Sequence, residues 1–118
     1  MNFKWKEAVW LALDDCVENP DTQCVYFNVL KYKELNDFQK EIDNQKVHQK
    51  YQNTVRNILN GFRQQCLIQG SKENRELKYG SYKWSGVLMD KQKRAQVRKS
   101  LELGLPLDQA INLTVDSP

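Results

Sequence analysis

The segment from residue 46 to residue 65 has the most regular hydrophobic pattern of the sequence and does most to constrain the fold. Its five large apolar residues recur at intervals of three or four. Because each residue of an α-helix advances by about 100°, this spacing puts all five within roughly 100° of arc. We therefore predict a long helix that buries one face against a core. The five residues are Tyr51, Val55, Ile58, Leu59 and Phe62.

The other side of this helix is polar, and the segment contains no Asp or Glu over its twenty residues. Such a face can bind DNA, because the major groove admits one helix, amide side chains can bond adenine edges, and Arg can bond guanine edges or phosphates. A merely solvated helix face is the alternative. The centre of this face contains Lys46, Lys50, Asn53, Asn57, Asn60 and Gln64, and one shoulder contains Gln49, Arg56 and Arg63.

Shorter elements are predicted on both sides of this helix from apolar periodicity and turn-forming residues. Residues 3–17 form a helix with one buried face, which Pro20 stops. Two extended segments separated by a polar run predict a β-hairpin with a charged tip. The remaining elements are a strand at 24–27, a helix at 29–42, hairpin strands at 66–69 and 77–84, a helix at 90–103 closed by Gly104, and a short helix at 107–113.

Charge is distributed unevenly along the chain. Residues 46–99 contain thirteen Lys and Arg against three Asp and Glu, whereas residues 1–45 contain five against nine and residues 100–118 contain none against three. A basic stretch of this kind is the usual electrostatic footprint of a nucleic-acid binder. Chance variation in charge is the alternative.

Several other function classes lack support in the sequence. The three cysteines, Cys16, Cys24 and Cys66, include no CxxC pair, so we predict neither a disulfide framework nor a zinc site and interpret them as small core residues. With His48 as the single histidine, no His-based triad or multi-histidine metal site can form. We therefore expect no enzyme activity, no cofactor and no metal. No apolar run is long enough for a membrane helix, so we expect a cytoplasmic protein without membrane contact.

The order helix, short strand, helix, helix, hairpin resembles a winged helix-turn-helix domain. Residues 53–68, with the sequence NTVRNILNGFRQQCLI, carry the resemblance most specifically, because such domains often have Thr-Val-Arg, an apolar pair, a basic residue, a small residue and then Leu-Ile where the recognition helix meets the wing. Residues 78–84, KYGSYKW, resemble the return strand of the wing. In style the chain resembles modules attached to restriction-type endonucleases and stand-alone bacterial or phage proteins.

The resemblance implies a mainly α fold with a small β-hairpin, built as a three-helix core with a wing and an added C-terminal helix. It divides the chain into a winged helix domain, 3–86, and a C-terminal helical extension, 87–118. Helix 46–65 would lie in the major groove and wing 70–78 on the DNA backbone. The residues expected at base edges are Gln49, Asn53 and Asn57; those expected at phosphates are Lys50, Arg56 and Arg63; and those expected on the adjacent backbone or minor groove are Lys72, Arg75 and Lys78.

The function expected from these features is double-stranded DNA binding, as a transcriptional regulator or as the targeting module of a larger system. A homodimer or a larger complex is compatible with it. Helix 90–103, with five Lys and Arg, would either extend the phosphate contacts or serve as a dimerisation element or linker. The alternative function is an adaptor that binds an acidic protein partner and depends on exposed apolar residues such as Trp10 and Leu105.

Overall fold

The computed structural model describes residues 3–16, 20–33 and 45–115, and in the last range it describes the side chains from residue 51 onward. The fold of these residues is mainly helical with one antiparallel pair of short strands, which confirms the predicted fold class of a mainly α protein with a small β-hairpin. Its elements are α1 (Trp5–Asp14), α2 (Thr22–Asn28), α3 (Gln45–Gln64), β1 (Ile68–Gln69), β2 (Lys83–Trp84), α4 (Lys91–Glu102) and α5 (Leu107–Val115), with 3-10 turns at Val29–Lys31 and Gly86–Met89.

Helix α1 is the central element, because it is buried on all sides. Every residue from Ala8 to Leu13 is at most 1% exposed. Its neighbours α2, α3 and α4 surround it, and a helix that is apolar all round is stable only in such a position. The sequence pattern predicted one buried face, and this was too narrow, since Trp10 and Leu11 are buried as well.

Two arginines of α4 join this helix to the C-terminal end of α1. Arg94 Nε donates to Asp14 Oδ1 at 3.1 Å. Arg98 donates from Nε to Asp14 Oδ2 at 3.1 Å and from Nη2 to Asp15 Oδ1 at 2.7 Å. A helix C-terminus disfavours negative charge and favours cations. The two arginines therefore supply the positive charge that the acidic end of α1 requires.

The structure confirms the predicted helix at 90–103 as α4. Its contacts within the fold leave fewer cations for the phosphate contacts that were one expected role of this helix. Arg94 and Arg98 bind α1 instead of facing solvent, and Lys93 Nζ donates to the carbonyl of Thr114 in α5 at 3.2 Å. Lys91 and Lys99 are the exposed cations of this helix. Much of the positive charge of α4 thus stabilises the fold.

The segment predicted as a strand at 24–27 is helical and belongs to α2, so this prediction was wrong. Asp21 caps the helix, because its Oδ1 accepts a hydrogen bond from the backbone N–H of Cys24 at 2.7 Å. Val25, Tyr26 and Val29 lie on the buried side of α2 and the 3-10 turn that follows. Their β-branched and aromatic character reflects this burial and not extended backbone. Of the predicted helix at 29–42, residues 29–31 form a 3-10 turn with its C-cap at Tyr32, and residues 34–42 lie outside the described residues.

The cysteines match the prediction only in part, since Cys16 is a buried core residue. Cys16 and Cys24 form a disulfide between the end of α1 and the first turn of α2. The Asn28 amide donates to both sulfur atoms and to the carbonyl of Ala12. Cys66 is exposed and has a φ of 61°, so it is not a core residue.

Helix α3 confirms the predicted helix at 46–65. Tyr51, Val55, Leu59 and Phe62 are buried, and Ile58 is half-buried against them. The helix ends in a Schellman motif, in which the N–H of Leu67 binds the carbonyl of Phe62.

The C-terminal helices follow the sequence prediction closely. Gly104 ends α4 with a φ of +94°, which is the left-handed geometry expected of it. The short predicted helix is present as α5, and Leu107 and Ala110 join the same core as α1. Within the described ranges, no helix has the length and apolar character needed to cross a membrane.

The β-hairpin is present but shorter than predicted. Strands β1 and β2 pair antiparallel, with Ile68 opposite Trp84, and residues 70–82 form the loop between them. A further bridge joins Asp21, just before α2, to Ser81 near the end of this loop. The returning side of the hairpin is therefore held by β1 and by the segment just before α2.

We predict that Arg98→Ala lowers the free energy of unfolding by about 2 kcal/mol, because it removes the cation that pairs with the half-buried Asp15 and leaves Asp14 with Arg94 alone. Urea denaturation followed by circular dichroism measures this change. The matched control is Lys99→Ala, which removes an exposed cation from the same helix and should stay within about 0.5 kcal/mol of the wild type. Equal destabilisation of the two variants would show that the network does not stabilise the fold.

Candidate nucleic-acid interface

A groove with a volume of about 700 Å³ lies between α2, α3 and the loop of residues 70–82. Its walls combine cationic, aromatic and hydroxyl-bearing side chains. We call it the cationic groove. Its main polar and aromatic lining residues are Asp21, Thr22, Tyr26, Arg56, Asn60, Arg63, Ser71, Lys72, Lys78, Tyr79, Ser81 and Tyr82.

The α3 wall of the cationic groove comes from one edge of the polar helix face. Arg56, Asn60 and Arg63 are spaced at four and three residues, so they lie one above another along this edge. The Nη2 atom of Arg56 donates to the Oδ1 atom of Asn53, one turn earlier. Asn53 is exposed at the centre of the polar face, and this bond holds its side chain beside the Arg56 guanidinium.

Arg63 fixes the start of the hairpin loop against α3. Its Nε and Nη2 atoms donate to the two carboxylate oxygens of Glu73 at 2.5 and 2.7 Å, a bidentate geometry that is strong among ion pairs. Glu73 Oε1 also accepts the N–H of Gly70 at 3.1 Å. The Arg63 guanidinium, together with the Gly70 N–H, lowers the pKa of Glu73 from 4.5 to about 2.

The other end of the loop is held by a tight turn at residues 78–81. The N–H of Ser81 donates to the carbonyl of Lys78 at 3.0 Å. Gly80 has a φ of +84°, which a type II turn requires of its third residue. The carbonyl of Gly80 accepts two hydrogen bonds from Thr22, from N–H at 2.9 Å and from Oγ1 at 3.1 Å. Both ends of the loop are thus fastened to helices.

Three tyrosines contribute to the cationic groove, and they differ in exposure. Tyr26 is 8% exposed and Tyr79 is 97% exposed, while Tyr82 is half-buried with its hydroxyl 3.2 Å from Thr22 Oγ1. Burial raises the pKa of the Tyr26 phenol above its ordinary value. The groove therefore offers aromatic surface and hydroxyl groups beside its cations.

The cations of this region fall into two groups. Arg63 is neutralised by Glu73, whereas Arg56, Lys72 and Lys78 form no ion pair within the described residues. The acid in the groove lining is Asp21, and its carboxylate caps α2. A groove with three cations that form no ion pair among the described residues, and with an acid that caps a helix, attracts anions, and phosphate groups fit its size and chemistry.

The nine predicted interface residues are only partly brought together. Arg56, Arg63, Lys72 and Lys78 line the cationic groove, and Asn53 touches it through Arg56. Asn57 and Arg75 are exposed but do not line it. Gln49 and Lys50 belong to α3, and their side chains lie outside the described residues.

Other groove residues were not among the nine predicted interface residues. Asn60 had a signal, since it shares the polar face of α3 with Asn53 and lies one turn after Arg56. The sequence held no such signal for Thr22, Tyr26 and Tyr82. Their position in the groove depends on the packing of α2 against the hairpin loop, and the segment at 24–27 was predicted as a strand instead.

Comparisons with protein-family models, curated proteins and solved structures found no match to the chain. Within the described ranges, no group of three or more His, Cys, Asp or Glu residues could hold a metal ion.

We predict that the bond between Arg63 and Glu73 contributes stability at neutral pH that acid removes. Because the pKa of Glu73 is lower in the folded state, its contribution is complete above about 4.5 and disappears as the pH falls towards about 2. The unfolding temperatures of wild type and Glu73→Gln should differ most at pH 7, and the difference should disappear as the pH falls from 4.5 to 2.

The control for this prediction is Glu76→Gln, which makes the same charge change at an exposed position of the same loop. Its difference from wild type should not follow the same pH dependence. A Glu73→Gln effect that stays constant across this pH range would contradict the assigned role of Glu73.

Proposed function

We propose that this protein is a winged helix-turn-helix protein that binds double-stranded DNA without catalysing a reaction. The observation that carries the proposal is the convergence of Arg56, Lys72 and Lys78 on one groove beside the acid-free polar face of α3. These three cations come from a helix and from both ends of the hairpin loop, so they form a surface patch that no single sequence segment provides.

The order of elements supports the winged helix proposal. Three helices, α1, α2 and α3, pack on one another, and the hairpin follows directly after α3. The bridge between Asp21 and Ser81 adds a short extended contact just before α2 to the return side of the hairpin. In this proposal α3 is the recognition helix and the loop of residues 70–82 is the wing.

In the proposed mechanism, amide side chains contact the bases and cationic side chains bind the phosphates. Asn53 and Asn57 are exposed on α3, and amide side chains bond base edges in the major groove. Arg56, Lys72 and Lys78 bind phosphates of the flanking backbone, which sets orientation and supplies most of the affinity. Arg63 acts indirectly, because its bond to Glu73 holds the loop in place.

The alternative adaptor function would use other surface residues than expected. It was expected to use exposed apolar residues such as Trp10 and Leu105, but Trp10 is fully buried and Leu105 is half-buried, whereas Phe27 and Leu103 are exposed. An acidic protein partner could still bind the cationic groove through charge. A titration with duplex DNA separates this alternative from DNA binding, because a protein adaptor need not bind duplex DNA.

The test is a fluorescence-anisotropy titration with duplex DNA of random sequence at about 50 and 200 mM salt. We expect the wild type to bind, with an affinity that falls steeply with salt. The triple variant Arg56→Ala, Lys72→Ala, Lys78→Ala should bind more weakly, and the slope of log K against log salt should flatten by roughly 0.9 for each phosphate that the variant no longer binds.

A matched control removes the same charge elsewhere. Lys31, Lys91 and Lys99 are exposed and lie outside the groove lining, so their triple replacement by Ala leaves the specific contacts intact. Equal weakening in the two triple variants would mean that only net charge matters and that the cationic groove is not the binding site. Absence of binding by the wild type at low salt would exclude the DNA-binding function.

A further inference from the structure

Tyr79 is the most exposed aromatic side chain among the described residues. It is 97% exposed, while Trp10, Tyr26, Tyr51 and Trp84 are at most 9% exposed. A ring in this position forgoes the burial that stabilises those four side chains. It lies at the cationic groove, next to Lys78.

The backbone that carries Tyr79 is held firmly. Tyr79 occupies the second position of the turn at 78–81, and Gly80 follows with the positive φ that this turn needs. Thr22 binds the carbonyl of Gly80 twice, and the N–H of Tyr82 binds the carbonyl of Pro20 at 2.8 Å. A side chain on such a support loses little backbone freedom on binding, so it is pre-organised for contact.

An exposed ring beside phosphate-binding cations matches one nucleic-acid feature in particular. Aromatic side chains stack on the faces of bases that are not covered by neighbouring bases, and this contact tolerates any sequence. In a continuous duplex the base faces are stacked on one another, whereas an unpaired base beside a duplex end exposes its face. Arg56, Lys72 and Lys78 would meet the phosphates on either side of such a base.

We propose that the preferred ligand is a junction between duplex and single-stranded DNA, in which Tyr79 stacks on the first unpaired base and α3 contacts the duplex. This inference rests on the proposed DNA-binding function. It differs from insertion of a side chain into a continuous duplex, for which proteins mainly use apolar wedges such as Phe, Leu or Met.

The test compares three labelled DNAs by fluorescence anisotropy at one salt concentration. The first is a blunt duplex, the second is the same duplex with a short single-stranded extension, and the third is the single strand alone. We expect the wild type to bind the junction about tenfold more tightly than the blunt duplex, which is the size of one base-stacking contact, and to bind the single strand less well than the junction.

Variants at Tyr79 separate stacking from other contacts. Tyr79→Ala should remove the preference for the junction and leave the affinity for blunt duplex unchanged. Tyr79→Trp preserves an aromatic face and should retain the preference, whereas Tyr79→Leu, an apolar side chain without a π-face, should not. Because the ring is exposed, all three variants should unfold at the wild-type temperature.

The outcomes distinguish the two proposals. Equal affinity for junction and blunt duplex would overturn the proposed preference for the junction and leave the proposed duplex binding in place. An equal loss of affinity for both DNAs in Tyr79→Ala would have the same meaning. Single strand bound as tightly as the junction would also overturn it, since the duplex would then contribute nothing. Absence of binding to all three DNAs would remove the proposed function and this inference together.

Discussion

The complete burial of α1 is the constraint on which the rest of the structure depends. A helix with six consecutive buried residues, Ala8 to Leu13, needs neighbours on every side, and α2, α3 and α4 provide them. Its acidic C-terminal end then needs cations, because the helix dipole disfavours the negative charge there. Arg94 and Arg98 of α4 meet this need. The C-terminal helices are therefore part of the same core that positions α2 and α3.

This network changes how the charge distribution of the sequence should be interpreted. The basic middle segment suggested one large cationic surface, but Arg63, Arg94 and Arg98 bind acids within the fold. Among the described residues, the cationic groove keeps three cations without such partners. Charge counted along a sequence overestimates the surface available to a ligand, because segments of opposite sign can pair when the chain folds.

The sequence was sufficient for elements whose pattern is local and long. Helices α3, α4 and α5 and the hairpin follow from periodicity, turn residues and Gly104. The segment at 24–27 was misassigned, because a short apolar run has similar composition in a buried helix and in a strand. Its helical state depends on the Asp21 cap and on burial of Val25 against α1. The Cys16 to Cys24 disulfide follows from that helix, so it could not be predicted without it.

The candidate site shows the same division between local and tertiary information. Its cations were found from sequence, since residue type and helical spacing identify them. Its shape was not, because the wall formed by Thr22 and Tyr82 depends on the loop returning to the segment before α2. That return also fixes Tyr79 in an exposed position. Because the loop is fastened at Glu73 and at Gly80, the backbone that carries Tyr79 is already ordered, and the contact proposed for this ring does not require the loop to be ordered on binding.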